Sequence, residues 1–157
     1  MDLIKKPRAV YLLTYHCVFV VKYRKKVINE ALGDFLKNDA AYIIERFDGK
    51  LVSAETDEDH IHILMSLPPH IAPGAVVKTL KTHMSREAHK YYGEYIKQFL
   101  WGEGTPFWTP SYYIATTGTT SLENVKAYIE SQRTDEHKRK YTKSGKYKKS
   151  SIHPRRN

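Results

Sequence analysis

The stretch DEDHIHILMSLPP, residues 57–69, contains the strand around which the rest of this chain can be ordered. Side chains alternate between the two faces of a β-strand, so the stretch divides into two sets. The odd-numbered positions from 61 to 67 are all apolar, which is typical of a face packed on a core. The even-numbered positions place His60 and His62 on the opposite face, next to Leu64 and Ser66. The sequence therefore predicts a strand with two imidazoles on its non-core face.

The segments on either side of this strand carry alternating strand and helix patterns. A run rich in β-branched and aromatic residues precedes it, followed by a stretch with apolar residues at helical spacing. After the strand come a second helical pattern, a short β-rich run and a third helix, in which Thr120 and Glu123 fit a capping box. The predicted strands are 10–21, 51–55, 60–67 and 112–117, and the first two helices are 30–46 and 74–92.

The order β-α-β-β-α-β followed by one more helix predicts an α+β fold of the ferredoxin-like type. In that arrangement one antiparallel sheet carries helices on one face, and the other face, with the histidine pair, stays open. We expect residues 1–137 to form a single domain. From Lys138 onward the chain loses apolar periodicity, so residues 138–157 are expected to form a basic, flexible tail.

The net charge of the chain indicates which kind of binding partner to expect. The chain has 26 Lys and Arg against 17 Asp and Glu, a formal net charge of +9. Such a surface favours polyanions, nucleic acid above all, although a soluble protein can also simply be basic. Cys17 is the only cysteine, so no intrachain disulfide can form. No membrane-spanning apolar run or signal-peptide pattern is present, and we expect a cytoplasmic location without membrane partners.

The histidine pair has two explanations from the residues alone. Imidazoles at neighbouring same-face positions can reach one cation, but two ligands do not complete a metal site. The alternative is two surface histidines on a solvated sheet face. Asp57, Glu58 and Asp59 could add oxygen ligands, although an acidic hairpin turn is typically just solvated. A metal site therefore needs a third ligand from elsewhere.

The third predicted helix carries a candidate for that ligand. In TTSLENVKAYIESQR, residues 119–133, an apolar stripe is formed by Leu122, Val125 and Ile129. Tyr128 and Gln132 stand four residues apart at the flank of this stripe. The Gln132 carbonyl suits a hard divalent ion, and the Tyr128 phenol can act as a nucleophile towards a strongly polarised target. With 12 tyrosines in the chain, packing is the commoner role for any one of them, and Gln132 could simply be solvated.

Three segments together resemble a known family. YHCVFVVKYRKKVI (15–28), DEDHIHILMSLPP (57–69) and WTPSYYIATTGTTSLENVKAYIESQ (108–132) are similar to segments of the single-tyrosine HUH transposases. These are the small TnpA-like enzymes that mobilise insertion sequences as single-stranded DNA. The resemblance covers roughly residues 10 to 133, with the segments in the same order. The tail matches no pattern of that family.

The resemblance implies a role for each site residue. His60 and His62 would bind a divalent ion, Mg or Mn, with Gln132 as third ligand and Tyr128 as the nucleophile that forms a 5′-phosphotyrosine link. Similar family members act as homodimers with shared active sites and recognise DNA hairpins at the ends of the element. His16 stands apart from the pair in the sequence and is not expected to bind the metal, because isolated histidines are usually structural or exposed.

Six basic residues and one tyrosine are candidate contacts to the DNA backbone. They lie after the first strand and along the second helix: Tyr23, Arg24, Lys25, Lys26, Lys78, Lys81 and Arg86. A replication initiator or a conjugative relaxase is disfavoured by the compact length, whereas a domesticated relative stays open. So does a non-catalytic nucleic-acid-binding module, although such modules place aromatic residues on the open sheet face, where this chain has histidines.

Overall fold

The computed structural model describes residues 2–100, 105–116, 122–132 and 134. The strands are β1 (Ile4–Lys6), β2 (Ala9–Tyr11), β3 (Thr14–Val20), β4 (Lys50–Asp57), β5 (His60–Ser66) and β6 (Tyr113–Thr116). The helices are α1 (Glu30–Arg46), α2 (Pro73–Ile96) and α3 (Leu122–Ser131), and a short 3₁₀ turn spans Lys22–Arg24.

The main sheet has four antiparallel strands in the order β4-β5-β3-β6. This is the order expected of a ferredoxin-like sheet, and the predicted α+β class and element order are confirmed. Helix α1 begins and ends where predicted, with the Asn29 side chain accepting a hydrogen bond from the Leu32 amide at 2.9 Å. Helix α2 is longer than predicted: it starts at Pro73, which suits a first helical turn, and continues past a kink at Tyr92.

The amino-terminal run predicted as one strand, residues 10–21, forms two elements. Its first residues belong to β2, which pairs with β1 in a separate two-stranded sheet, with Ile4 opposite Tyr11. The second part is β3, the inner strand between β5 and β6. The sequence does not predict the β1–β2 hairpin, because its strands have three residues each and its turn contains Pro7, so no alternating pattern develops.

The main core lies between the sheet and the helices α1 and α2, as predicted. The odd-numbered side chains of β5 are fully buried in it, together with the apolar stripes of both helices. Its largest fully buried members include Phe19, Leu36, Ile63, Leu80 and Met84. This core fixes the orientation of β5, and therefore which face carries His60 and His62.

The opposite face of the sheet is not open, in contrast to the prediction. Helix α3 packs on it through Val125, which is buried against Val18 and Val20 of β3. The apolar stripe of α3 is the reason, since a face bearing Val125 and Ile129 needs an apolar partner. The proposed cap residue Thr120, the side chain of Leu122 and the tail from Lys138 lie outside the described residues. Among the helices described, none is long and apolar enough to cross a membrane.

Candidate active site

His60 and His62 lie side by side on the sheet face that also receives α3. The β3–β5 register places His62 opposite Val18 and His60 opposite Val20, the two valines beneath α3. The two imidazole centroids are 4.8 Å apart. Both rings are half-buried, so they are sheltered from bulk solvent without being inaccessible.

Asp59 orients the first imidazole. The ring Nδ1 of His60 donates to the Asp59 carboxylate at 2.7 Å, and Arg24 Nε lies 3.8 Å from the other carboxylate oxygen. The hydrogen bond from His60 lowers the pKa of Asp59, with Arg24 adding to the effect. A carboxylate on one ring nitrogen fixes the tautomer and leaves Nε2 of His60 for a ligand, as in many metal sites.

His16 contacts the second imidazole. Its Nε2 lies 3.3 Å from His62 Nδ1, and the two rings stack with centroids 5.3 Å apart. Burial, followed by the neighbouring His60 and His16, lowers the pKa of His62 to about 4. His62 is therefore neutral near pH 7, the form that can bind a cation. If its Nδ1 donates to His16, the lone pair of its Nε2 is available to a metal ion.

The interpretation of His16 as an isolated histidine was wrong. It lies on β3, diagonal to His62, and only the strand register brings the two together. Its own Nδ1 is buried and makes no hydrogen bond within the described part of the chain, and burial lowers the pKa of its imidazole.

Tyr128 and Gln132 share one hydrogen-bonding partner, the side chain of Ser111. Its Oγ lies 2.9 Å from the Tyr128 hydroxyl and donates to Gln132 Oε1 at 3.2 Å. A serine hydroxyl has one hydrogen, so Tyr128 must donate its own to Ser111 when Ser111 donates to Gln132. Gln132 Nε2 in turn donates to the Tyr128 carbonyl at 3.3 Å, which fixes the amide orientation. One lone pair of the Gln132 carbonyl oxygen remains for another donor or an ion.

Burial raises the pKa of the Tyr128 phenol, while its hydrogen bond with the Ser111 side chain opposes that effect. The phenol is therefore protonated near neutral pH. Its attack on phosphorus would need either removal of this proton or strong polarisation of the target.

The two halves of the site lie on the same sheet face with Tyr113 between them. The Tyr113 ring centroid is 6.5 Å from that of His16 and 5.8 Å from that of Tyr128. The described hydrogen bonds of Tyr128 and Gln132 run to Ser111 and within α3, not to the histidines. No cluster of three or more His, Cys, Asp or Glu side chains suited to a metal occurs in the described ranges. A site built on His60 and His62 would thus need Gln132 or a substrate oxygen.

The candidate DNA contacts fall into two groups. Tyr23 and Arg24 have positive φ angles of 58° and 54° in the 3₁₀ turn after β3, next to Lys25 and the exposed Lys26. This left-handed conformation is uncommon for such residues and turns the basic segment sharply at the end of the strand.

The other candidates lie on α2 and differ in exposure. Lys78 and Arg86 are exposed, as backbone contacts should be. Lys81 is half-buried and its amine donates to two carbonyl oxygens, those of Thr109 at 2.6 Å and Ser111 at 2.9 Å. Burial lowers the pKa of this amine to about 8. Its hydrogen bonds are therefore directed to the protein, unlike those expected of a phosphate-binding lysine.

Sequence reasoning missed Ser111 and Thr109 because both occur in a loop without periodic pattern. The motif that contains them, WTPSYY, offers only one signal: hydroxyl residues next to a predicted strand. Their relation to Tyr128 depends on how α3 returns over the sheet, and no local pattern encodes that return.

Comparisons with known proteins all indicate the same family. Residues 9–132 match the family model described as "Transposase IS200 like". The chain is 36% identical over 129 residues to the ISDra2 transposase TnpA of Deinococcus radiodurans, covering 82% of this chain and 90% of that protein. It is 27% identical over 122 residues to the transposase of insertion sequence IS200 from Salmonella typhimurium, covering 75% of each chain.

Solved structures agree with this result. A crystal structure of a Deinococcus radiodurans R1 protein, described as a candidate transposase, superposes with a TM-score of 0.74 at 29% identity. It covers 83% of this chain and 99% of the other. A REP-associated tyrosine transposase bound to a REP hairpin has a TM-score of 0.50 at 9% identity, covering 80% and 68% of the two chains. At that identity the second match supports the shared fold only.

Proposed function

This chain belongs to the IS200-like transposase family, a family of DNA-cleaving and strand-transferring enzymes, and from that premise we propose that it cleaves and rejoins single-stranded DNA at hairpin-marked element ends. One observation carries the proposal. The phenol of Tyr128 and the amide of Gln132 share the Ser111 hydroxyl, on the sheet face that bears the His60–His62 pair. A nucleophile, a neutral oxygen ligand and two imidazoles on one surface suit phosphoryl transfer.

The histidines and Gln132 would hold a divalent ion, Mg or Mn. When bound, such an ion supplies Lewis-acid stabilisation of charge on the scissile phosphate. The donor set fits, because Asp59 fixes His60 with its Nε2 available, and the lowered pKa keeps His62 neutral. Gln132 Oε1 retains a lone pair beyond its bond to Ser111.

Tyr128 would form the covalent intermediate. Its phenolic oxygen attacks phosphorus, the bond from phosphorus to the 3′-oxygen breaks, and a 5′-phosphotyrosine link and a 3′-hydroxyl result. The phenolic proton leaves through Ser111 or solvent, and the departing 3′-oxygen takes up a proton. Attack of another strand's 3′-hydroxyl on the phosphotyrosine reverses these steps and rejoins DNA. The number of phosphodiester bonds is conserved, so no nucleotide triphosphate is consumed.

Hairpin binding is supported by charge and by analogy of fold. The net charge of +9 favours a polyanion, and the exposed Lys26, Lys78 and Arg86 are available to backbone phosphates. A structure of similar fold was solved with a REP hairpin. We propose single-stranded DNA with a stem-loop as the substrate, read partly through its own base pairing.

We also propose a homodimer with shared active sites. Helix α3 has ten residues and packs through a small cluster made by Val18, Val20 and Val125. Because that contact is small, the helix could pack on the equivalent patch of a second subunit at little cost. In the structure, Tyr128 packs over the sheet of its own subunit.

The chemistry is tested by an adduct assay. Purified protein is mixed with single-stranded hairpin oligonucleotides from the gene's own flanks, with Mg or Mn, and separated by denaturing electrophoresis. We expect a metal-dependent protein–DNA adduct that chelator abolishes and Tyr128→Phe removes. Tyr91→Phe, at an exposed tyrosine of α2, is the matched control and should retain the adduct. Salt-sensitive binding without adduct, unaffected by chelator, would instead support a non-catalytic binding module.

The sharing of sites is tested by subunit mixing. Tyr128→Phe and His62→Ala are each expected to be inactive alone. A mixed dimer contains one Tyr128→Phe subunit and one His62→Ala subunit. If α3 of each subunit completes the active site at the partner's histidines, one site of this dimer has both residues intact and the other has both substituted. If α3 completes the active site of its own subunit, each site of the mixed dimer carries one substitution and activity stays absent. Restored adduct on mixing would therefore establish the shared arrangement.

A further inference from the structure

We propose that Lys81 and Ser111 are positioning residues for the nucleophile, acting as one unit across the edge of the sheet. Lys81 fixes the backbone of residues 109–111, and Ser111 uses that fixed position to hold Tyr128 and Gln132. The inference rests on the proposed function, since it assigns Tyr128 and Gln132 their roles in the reaction.

The first step is the anchoring of the loop by Lys81. This lysine belongs to α2, in the helical layer, whereas α3 lies on the opposite face of the sheet. Its amine reaches the Thr109 carbonyl at 2.6 Å and the Ser111 carbonyl at 2.9 Å, just before β6 begins. Two hydrogen bonds from one ammonium group are charge-assisted, the stronger class of protein hydrogen bond. They restrain both ends of a three-residue segment.

The second step is what this segment presents to α3. The Ser111 hydroxyl contacts both Tyr128 and Gln132, at 2.9 and 3.2 Å. Thr109, whose carbonyl also accepts from Lys81, precedes Ser111 by two residues in the same anchored segment. Both hydrogen bonds between the loop and the two site residues therefore involve Ser111, and the carbonyl of Ser111 accepts a hydrogen bond from the Lys81 amine. A displacement of the loop would move the phenol and the amide together.

The neighbouring backbone adds stiffness to the same segment. Thr109 N donates to the Val20 carbonyl at 2.8 Å, and Trp108 pairs with Val21 in an isolated bridge. Lys81 therefore completes an anchor that ties residues 108–111 to the end of β3, and β3 carries His16 and the valines beneath α3.

A phosphate contact is the competing role for Lys81. Lys81 is half-buried, and its amine lies 5.9 Å from the centroid of the Tyr112 ring and 6.0 Å from that of Phe19, so the amine has two aromatic neighbours besides its carbonyl partners. Binding a phosphate would require it to leave two backbone acceptors. Lys78, one turn earlier on α2, is exposed and needs no such exchange.

The test separates chemistry from binding. Single-turnover adduct formation at saturating hairpin DNA gives a rate, and fluorescence titration over a range of salt gives the affinity and its salt slope. Lys81→Met and Ser111→Ala should each lower the saturating rate about tenfold or more, because small misplacements of reacting groups are costly. Affinity and salt slope should not change. Ser111→Thr, which keeps a hydroxyl, should recover most of the rate, and the double variant should be no slower than Lys81→Met alone.

Lys90→Met provides the matched control, because it removes one charge from an exposed position of the same helix. Its saturating rate should equal that of the unmodified protein. If Lys81→Met leaves the saturating rate intact but lowers the salt slope by about one, Lys81 is a phosphate contact and the proposal fails. An unchanged rate in Ser111→Ala would also overturn it.

A DNA-free measurement distinguishes failure of this inference from failure of the proposed function. Amide hydrogen exchange of β6 and α3 should accelerate about tenfold in Lys81→Met and not in Lys90→Met. Equal exchange in the two variants would refute the anchoring, whatever the activity. Absence of adduct in the unmodified protein, with the exchange difference present, would instead refute the proposed chemistry.

Discussion

Truncation of Val125 should release α3 without unfolding the domain. Val125 is 2% exposed and is the one fully buried α3 side chain among those described. Val125→Ala removes two methyl groups, about 1.5 kcal/mol of burial at about 0.8 kcal/mol per buried carbon, before any cavity cost. A ten-residue helix is marginal by itself in water, so it has little stability with which to offset this loss. The population of detached α3 should therefore rise about tenfold or more.

Hydrogen exchange followed by mass spectrometry measures this directly. Peptides from α3 should exchange about tenfold faster in Val125→Ala, while β3, β5 and the helices of the main core keep their protection. Val76→Ala is the matched control, because Val76 is fully buried in the main core. That variant should lower the midpoint of thermal unfolding by several degrees and affect every core element. A similar global loss in Val125→Ala, or no change in α3, would refute the view of α3 as a separately packed unit.

Three further predictions concern the histidines and the basic surface. Acidification should destabilise the protein between about pH 6.5 and 4. The pKa of His62 is 6.5 in the unfolded chain and about 4 in the folded protein, so in this range the unfolded state binds one more proton than the folded state. Solvent screening of this half-buried ring limits the loss to about 1–2 kcal/mol, and His62→Gln should flatten that part of a denaturation-against-pH curve. Asp59→Asn should weaken Mn binding, followed by calorimetry, about tenfold or more through loss of the carboxylate on His60, whereas Glu58→Gln should not. Lys78→Met should reduce the salt slope of hairpin binding by about one without lowering the saturating rate of adduct formation; an unchanged slope would remove Lys78 from the DNA surface.

The fold could be predicted from sequence largely because the main core is encoded locally. Residues 61, 63, 65 and 67 alternate strictly, and α1 carries Leu32, Leu36 and Ile43 at helical spacing. Each such pattern predicts both the secondary structure of its segment and the face of that segment that is buried. The β1–β2 hairpin escaped detection because three-residue strands are too short to establish a period.

The candidate site was predictable only in part, because most of its contacts are non-local. The pairing of His60 with His62 follows from their spacing on one strand. The contact of His16 with His62 requires the β3–β5 register, and that of Ser111 with Tyr128 requires the path of α3 over the sheet. The expectation of an open sheet face failed for the same reason. The stripe of α3 predicted a buried side but not which surface would bury it.

The separation of the two apolar clusters has a consequence for how such a gene decays. The main core accounts for nearly all of the buried apolar residues, whereas the cluster beneath α3 contains Val18, Val20 and Val125. Substitutions of Tyr128 or Gln132, the residues that we propose for catalysis, should therefore leave the folding of the sheet and its two long helices largely intact. A copy that has lost transposition in this way would still produce a folded, basic protein, and we expect it to keep the proposed binding to DNA. Natural selection could then retain it as a binding protein, or as a competitor of active copies, long after its chemistry was lost.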